Sequence, residues 1–238
     1  MTREGILLVD KPKGKTSFSL VGRLRKVLGV QKIGHAGTLD PFATGVMVML
    51  VGKNYTKQSD QFLCSDKEYI AKLLLGVATD SYDVDGRVTE SSPLIPTLGD
   101  IQERLIHFNG EIEQIPPMFS AKKVEGKKLY ELARQGIEIE RKPVKVTVHT
   151  ELLSYEYPHL SIKVAASKGT YIRSLAHDLG QQLGCFAHLI ELTRTRSGHF
   201  KLEECIDGNV LYESTNEQAV ESLVTDALSK KTVRLTPV

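Results

Sequence analysis

Apolar residues along the chain fall into short runs of differing period. Ile6–Val9 is an uninterrupted apolar run ending at Asp10-Lys11-Pro12, which predicts a strand feeding a loop. From Ser17 the period lengthens. Phe18, Val21, Leu24 and Leu28 share one helical face, Arg23, Arg25 and Lys26 point elsewhere, and Gly29 is placed to stop the helix. A Gly- and Pro-rich loop, Gly34 to Gly45, precedes a buried strand at Val46–Val51. Residues 69–75 predict another strand, Asp80–Gly86 an acidic turn, and Ile101, Leu105 and Phe108 a short amphipathic helix. Val144, Val146 and Val148 alternate strictly, as do Ile162, Val164 and Ala166, so each set predicts a half-exposed strand. A helix over Tyr171–Leu183, a strand at Leu189–Thr193 and a last helix over Glu217–Leu228 complete the pattern. Strands and helices do not alternate regularly, which favours an α+β fold with a mainly antiparallel sheet over a doubly wound one.

Residues 116–142 stand apart. They begin with Pro116-Pro117, carry several lysines, and predict a helix near Lys128–Gln135 ended by Gly136, an excursion from the core. Charge sharpens this picture. The net charge is only +2, but residues 1–60 hold ten Lys/Arg against four Asp/Glu, and residues 116–145 hold eight against four. Residues 199–238 reverse the balance, four against seven. Two basic stretches suit a polyanion, since phosphate neutralisation supplies most sequence-independent affinity, although a solvated mixed-charge surface gives the same counts. No apolar run approaches the roughly 18–20 residues of a membrane span, and the N-terminus has no secretory pattern. Cys64, Cys185 and Cys205 are odd in number, far apart and not in metal-ligand spacing, as expected of reduced thiols in the cytoplasm.

The candidate chemistry sits in the Gly34–Gly45 loop. Its glycines fit neither the dinucleotide fingerprint nor the P-loop. It does offer one carboxylate, Asp40, and one histidine, His35, on a backbone able to approach a ligand closely. Pro41 restricts Asp40 to extended geometry, though an Asp-Pro pair also starts ordinary turns. Asp83, Asp85 and Gly86 hint at a calcium loop, but the required glutamate position holds Ser92, and no histidine pair with a glutamate supports a zinc hydrolase.

The stretch Gly-His-Ala-Gly-Thr-Leu-Asp-Pro-Phe-Ala-Thr-Gly (34–45) closely resembles the catalytic motif of the TruB family of tRNA pseudouridine synthases. Other segments resemble that family in the same order: Gly5–Gly14; Asp66-Lys67-Glu68-Tyr69 leading to Thr79-Asp80; Pro116–Gly126 with Leu129–Arg134; and Ser167–Leu175. The resemblance runs from about residue 5 to about residue 200. It implies a pseudouridine synthase catalytic fold with a central, mainly antiparallel mixed sheet, flanking helices and an RNA-gripping thumb at about 116–145. The catalytic domain would span 1–210, with 211–238 a short tail and no complete extra RNA-binding module. The implied reaction is isomerisation of the T-loop uridine at tRNA position 55 after base flipping, with no cofactor and no metal.

By the same resemblance Asp40 is the nucleophile, Arg173 its guanidinium partner, and Tyr69 stacks on the uracil and assists proton removal from C5. His35 fills the gap left by the flipped base, Tyr171 and Leu192 line the uracil pocket, and Lys11 and Pro12 support the loop. The implied partner is the tRNA T-arm stem-loop, with no membrane or protein partner and a monomer as the default. A rival reading is a tRNA-folding factor gripping the elbow without need of catalysis. A hydrolase with an aspartate nucleophile lacks the second carboxylate at a readable position.

Overall fold

A computed structural model describes residues 3–63, 65–120, 122–124, 126–133 and 135–230. Cys64, and Ala121, Glu125 and Arg134 of the thumb motif, lie outside the described residues. The chain forms two compact units, residues 1–69 with 193–238, and residues 70–192. It crosses between them inside two strands, Lys67–Leu75 and Ala187–Ser197.

In the first unit the strand order is Ile206–Asp207, Gly5–Lys11, Thr44–Val51, Ala187–Ser197. Gly5–Lys11 runs antiparallel to Thr44–Val51, whereas Ile206–Asp207 and Ala187–Ser197 pair in parallel with their neighbours, so the sheet is mixed. Ile6, Leu8, Val46, Val48 and Leu50 project from the paired strands into one core with Ala36, Tyr55 and Phe200. The helix Ser17–Leu28 is capped at both ends: Thr16 accepts from the Ser19 amide, and Gly29 takes the left-handed conformation (φ 67°). Its buried face is Leu20, Val21, Leu24, Val27 and Leu28. Phe18, which the periodicity places on that face, is 71 % exposed, while Ser17 beside it is buried in the first turn.

In the second unit Lys67–Leu75, His159–Ala166, Val144–Glu156 and Gly110–Gln114 lie side by side in that order. The last three pair antiparallel, and Val146 and Val148 are buried while their neighbours face out, as the alternation predicts. The helices Leu98–His107 and Ile172–Gln182 complete this layer. Within residues 116–145, Leu129–Ala133 is helical, and Leu129 and Leu132 pack on Met118, a small core of its own. The molecule is therefore α+β, with helices flanking mainly antiparallel sheet. Among the described residues no helix is long and apolar enough to cross a membrane.

Candidate active site

The loop bearing Asp40 is anchored on both flanks. The expectation of a loop from Gly34 fails at its start: Ile33–Ala36 is a strand, antiparallel to Thr44–Val51, with His35 opposite Met49. Its two glycine-flanked residues concealed the pairing, because the partner strand supplies the register, not local propensity. Beyond Gly37 (φ 94°) the chain turns out, and Leu39, Phe42 and Ala43 are buried on either side of a half-buried Asp40. The Ser17 hydroxyl accepts from the Leu39 amide and lies at the same 3.0 Å from the Leu39 carbonyl, to which it donates. Asp10 accepts from the Gly45 amide at 2.9 Å, closing the far end.

Lys11, fully buried, reaches into the same loop. Its ammonium donates to the carbonyls of Pro12 (2.9 Å), Lys15 (2.6 Å) and Pro41 (3.2 Å), so each of its three protons has an acceptor. Burial pushes its pKa down to about 8; the Asp40 carboxylate opposes that shift and the Arg194 guanidinium adds to it. Lys11 thus holds the carbonyl of Pro41, the residue following Asp40.

Arg194 was not singled out from the sequence. It lies in Ala187–Ser197 opposite Gly45 and is 1 % exposed. Its guanidinium donates to the carbonyls of Val46 (2.8 Å), Gly37 (3.2 Å) and Thr38 (3.5 Å), tying both ends of the Asp40 loop to one side chain. Such a buried cation is tolerable only with donors satisfied in this way. The signal was present: in Leu192-Thr193-Arg194 the strand period puts an arginine on the same face as a buried leucine. His35 feels the same cation. Burial first, and Arg194 second, hold its imidazole below the usual histidine range, and its Nδ1 is buried with no hydrogen-bond partner among the described residues. Tyr69, 8 % exposed, follows the buried alternation Lys67, Tyr69, Ala71, Leu73, Leu75.

The second unit holds Tyr171, Arg173 and Leu192. Arg173 is the second residue of the helix Ile172–Gln182 and is 4 % exposed, so it is no surface cation. It donates to the carbonyls of Ser81 (3.0 Å) and Phe119 (2.7 Å) and pairs with the buried Asp83 carboxylate at 3.3 Å. Asp83, considered above only as a failed calcium ligand, is thus an ion-pair partner of Arg173. Tyr171 is fixed through its backbone: its amide donates to Gln114 Oε1 (2.7 Å), and the Gln114 amide donates back to its carbonyl (3.0 Å). Leu192 is buried. Asp40, His35, Lys11 and Tyr69 thus belong to one unit, and Tyr171, Arg173 and Leu192 to the other. Among the described residues no group of three or more His, Cys, Asp or Glu is placed to hold a metal ion.

The first unit thus holds a half-buried carboxylate on a loop braced by buried Lys11 and Arg194, and the second holds buried Arg173. Residues 25–172 match the TruB family pseudouridylate synthase N-terminal domain, and residues 173–229 the tRNA pseudouridylate synthase B C-terminal domain. The tRNA pseudouridine synthase B of Protochlamydia amoebophila (strain UWE25) is 69% identical over 213 residues, covering 90% of this chain and 81% of that protein. The protein of the same name from Chlamydia trachomatis serovar L2 (strain ATCC VR-902B / DSM 19102 / 434/Bu) is 60% identical over 210 residues, covering 88% and 87%. Among solved structures, a chain of a Cbf5-Nop10-Gar1 complex is similar with TM-score 0.69 and 32% identity, over 94% of this chain and 59% of that one. A chain of an H/ACA RNP bound to a substrate RNA containing 2'-deoxyuridine gives TM-score 0.66 and 30% identity, over 94% and 58%. The chain spans less than two thirds of those two solved chains. The chain belongs to the TruB family of pseudouridylate synthases, and is accordingly an isomerase that converts uridine to pseudouridine.

Proposed function

We propose that this isomerase acts on tRNA, converting the T-loop uridine at position 55 to pseudouridine, with the base flipped out of its stack and Asp40 as nucleophile. The observation that carries this reading is the bracing of the Asp40 loop by two buried cations, Lys11 and Arg194, whose oxygen acceptors are all main-chain carbonyls. A braced carboxylate keeps its direction while a base and sugar are manoeuvred past it. The reaction breaks the N1–C1′ bond, forms a C5–C1′ bond, moves the C5 proton to a base and leaves N1 protonated. Atoms and electrons balance without a redox partner.

In this reading Tyr69 stacks on the uracil and assists removal of the C5 proton. Arg173 supplies the guanidinium partner of Asp40, and Tyr171 and Leu192 line the base. His35, held neutral by burial, has a face to offer the gap that flipping leaves in the T-loop. The basic stretches contact phosphate, and the thumb grips the T-arm. Incubation with unmodified tRNA, followed by carbodiimide treatment and primer extension, tests the site. One stop at the T-loop uridine, lost when that uridine is replaced by cytidine, is the expected result. Stops only at other uridines would overturn the assignment.

A further inference from the structure

The helix Ile172–Gln182 carries Arg173 and His177 four residues apart, hence on one face. Both side chains engage the same short turn. Arg173 takes the Ser81 carbonyl at 3.0 Å and the Asp83 carboxylate at 3.3 Å. Between those two acceptors stands Tyr82, whose φ of 65° puts a bulky, non-glycine residue in the left-handed region. Its ring lies flat on the His177 imidazole, with centroids 3.9 Å apart and planes 16° from parallel. The Tyr82 carbonyl meanwhile accepts from the Leu189 amide at 3.1 Å.

This geometry has a cost and a use. A tyrosine held left-handed is strained and persists only where its surroundings over-determine it. Were Tyr82 to relax to negative φ, the Ser81 carbonyl and the Asp83 carboxylate could not both remain on the guanidinium. Hydrogen bonds within the turn, from Thr79 Oγ1 to the Asp83 carbonyl (2.8 Å) and Ser81 Oγ to Asp83 Oδ1 (2.5 Å), brace its flanks but do not touch the Tyr82 ring. The ring is engaged by His177. The imidazole Nδ1 is buried with no hydrogen-bond partner among the described residues, so the face of the ring is in use rather than that nitrogen. Burial also holds His177 below the usual histidine range, with Glu90 opposing, so the stacking form is the neutral one at pH 7.

We propose that His177 is a positioning residue for Arg173: its stacked ring locks Tyr82 in the left-handed turn that aims the Ser81 carbonyl and Asp83 carboxylate at the guanidinium. The pair Tyr82–His177 is thus a clamp on the arginine, supplied from the arginine's own helix. This rests on the function proposed above, in which Arg173 serves the reaction.

The test compares His177→Leu, which keeps bulk but has no flat ring, with His177→Phe, which keeps the ring. In His177→Leu, kcat should fall by about tenfold with KM within about twofold, the scale of a lost aromatic pair acting on the chemical step rather than on binding. Amide exchange across residues 81–85 should quicken by a similar factor, and His177→Phe should restore both readouts. Tyr82→Leu is the reciprocal variant should His177→Leu not fold, and the double variant should lose no more than either single one. Wild-type kcat and exchange in His177→Leu, or a His177→Phe as impaired as the leucine variant, would overturn the clamp. Exchange is read without tRNA, so a wild-type protein that leaves tRNA unmodified would sink the proposed function while the exchange result still decides the clamp.

Discussion

Lys11 and Arg194 both place full positive charge where water does not reach, and they differ in what pH can do to them. A guanidinium stays protonated at any accessible pH, so Arg194 holds Gly37, Thr38 and Val46 throughout. Lys11, with its pKa lowered to about 8, does not. Once neutral, its amine has two protons for three carbonyls, and the longest bond, to Pro41 at 3.2 Å, is the one to go. Pro41 follows Asp40, so pseudouridine formation should decline as pH rises through about 8. Stability runs the other way for this group. Its folded pKa lies below the unfolded 10.5, so between about 8 and 10.5 the unfolded chain binds more protons and unfolding from this source becomes harder as pH rises. Parallel pH–rate and thermal-unfolding profiles check this. An activity loss tracking a fall in melting temperature would show general unfolding instead of a local loosening.

Among the elements, those announced by their own residues were legible. The helix Ser17–Leu28 has its cap, period and stop in sequence, and Val144–Glu156 has strict alternation. Ile33–Ala36 and Gly110–Gln114 were not legible as strands, because each is short and polar or glycine-rich and exists through its partner's ladder. The same holds for the site. Asp40, Tyr69 and Arg173 were reached through the family resemblance, whereas Arg194, Asp83 and Gln114 act by touching chain far away in sequence. Gly45 shows how closely two strands approach there. Its φ is 105°, and a Cβ would overlap the backbone of Arg194. Gly45→Ala should therefore destabilise the protein by more than about 3 kcal/mol, combining backbone strain with forced separation of two paired strands. Denaturant unfolding measures it; a loss under about 1 kcal/mol would mean the strands part easily.

At the scale of the whole molecule, the basic stretches 1–60 and 116–145 and the braced Asp40 loop come from different parts of the chain, and the family match runs across them from residue 25 to 172. The mixed sheet was expected in outline, but the division into units of 1–69 with 193–238 and of 70–192 was not, since a boundary inside a strand leaves no change of composition to read. The account stands or falls on Asp40. Unmodified tRNA tritiated at uracil C5 should release its label with the wild-type protein and not with Asp40→Asn, while both proteins bind the tRNA equally. Release by Asp40→Asn at the wild-type rate would contradict the nucleophile assignment, and equal binding without release from either would favour a tRNA-folding factor.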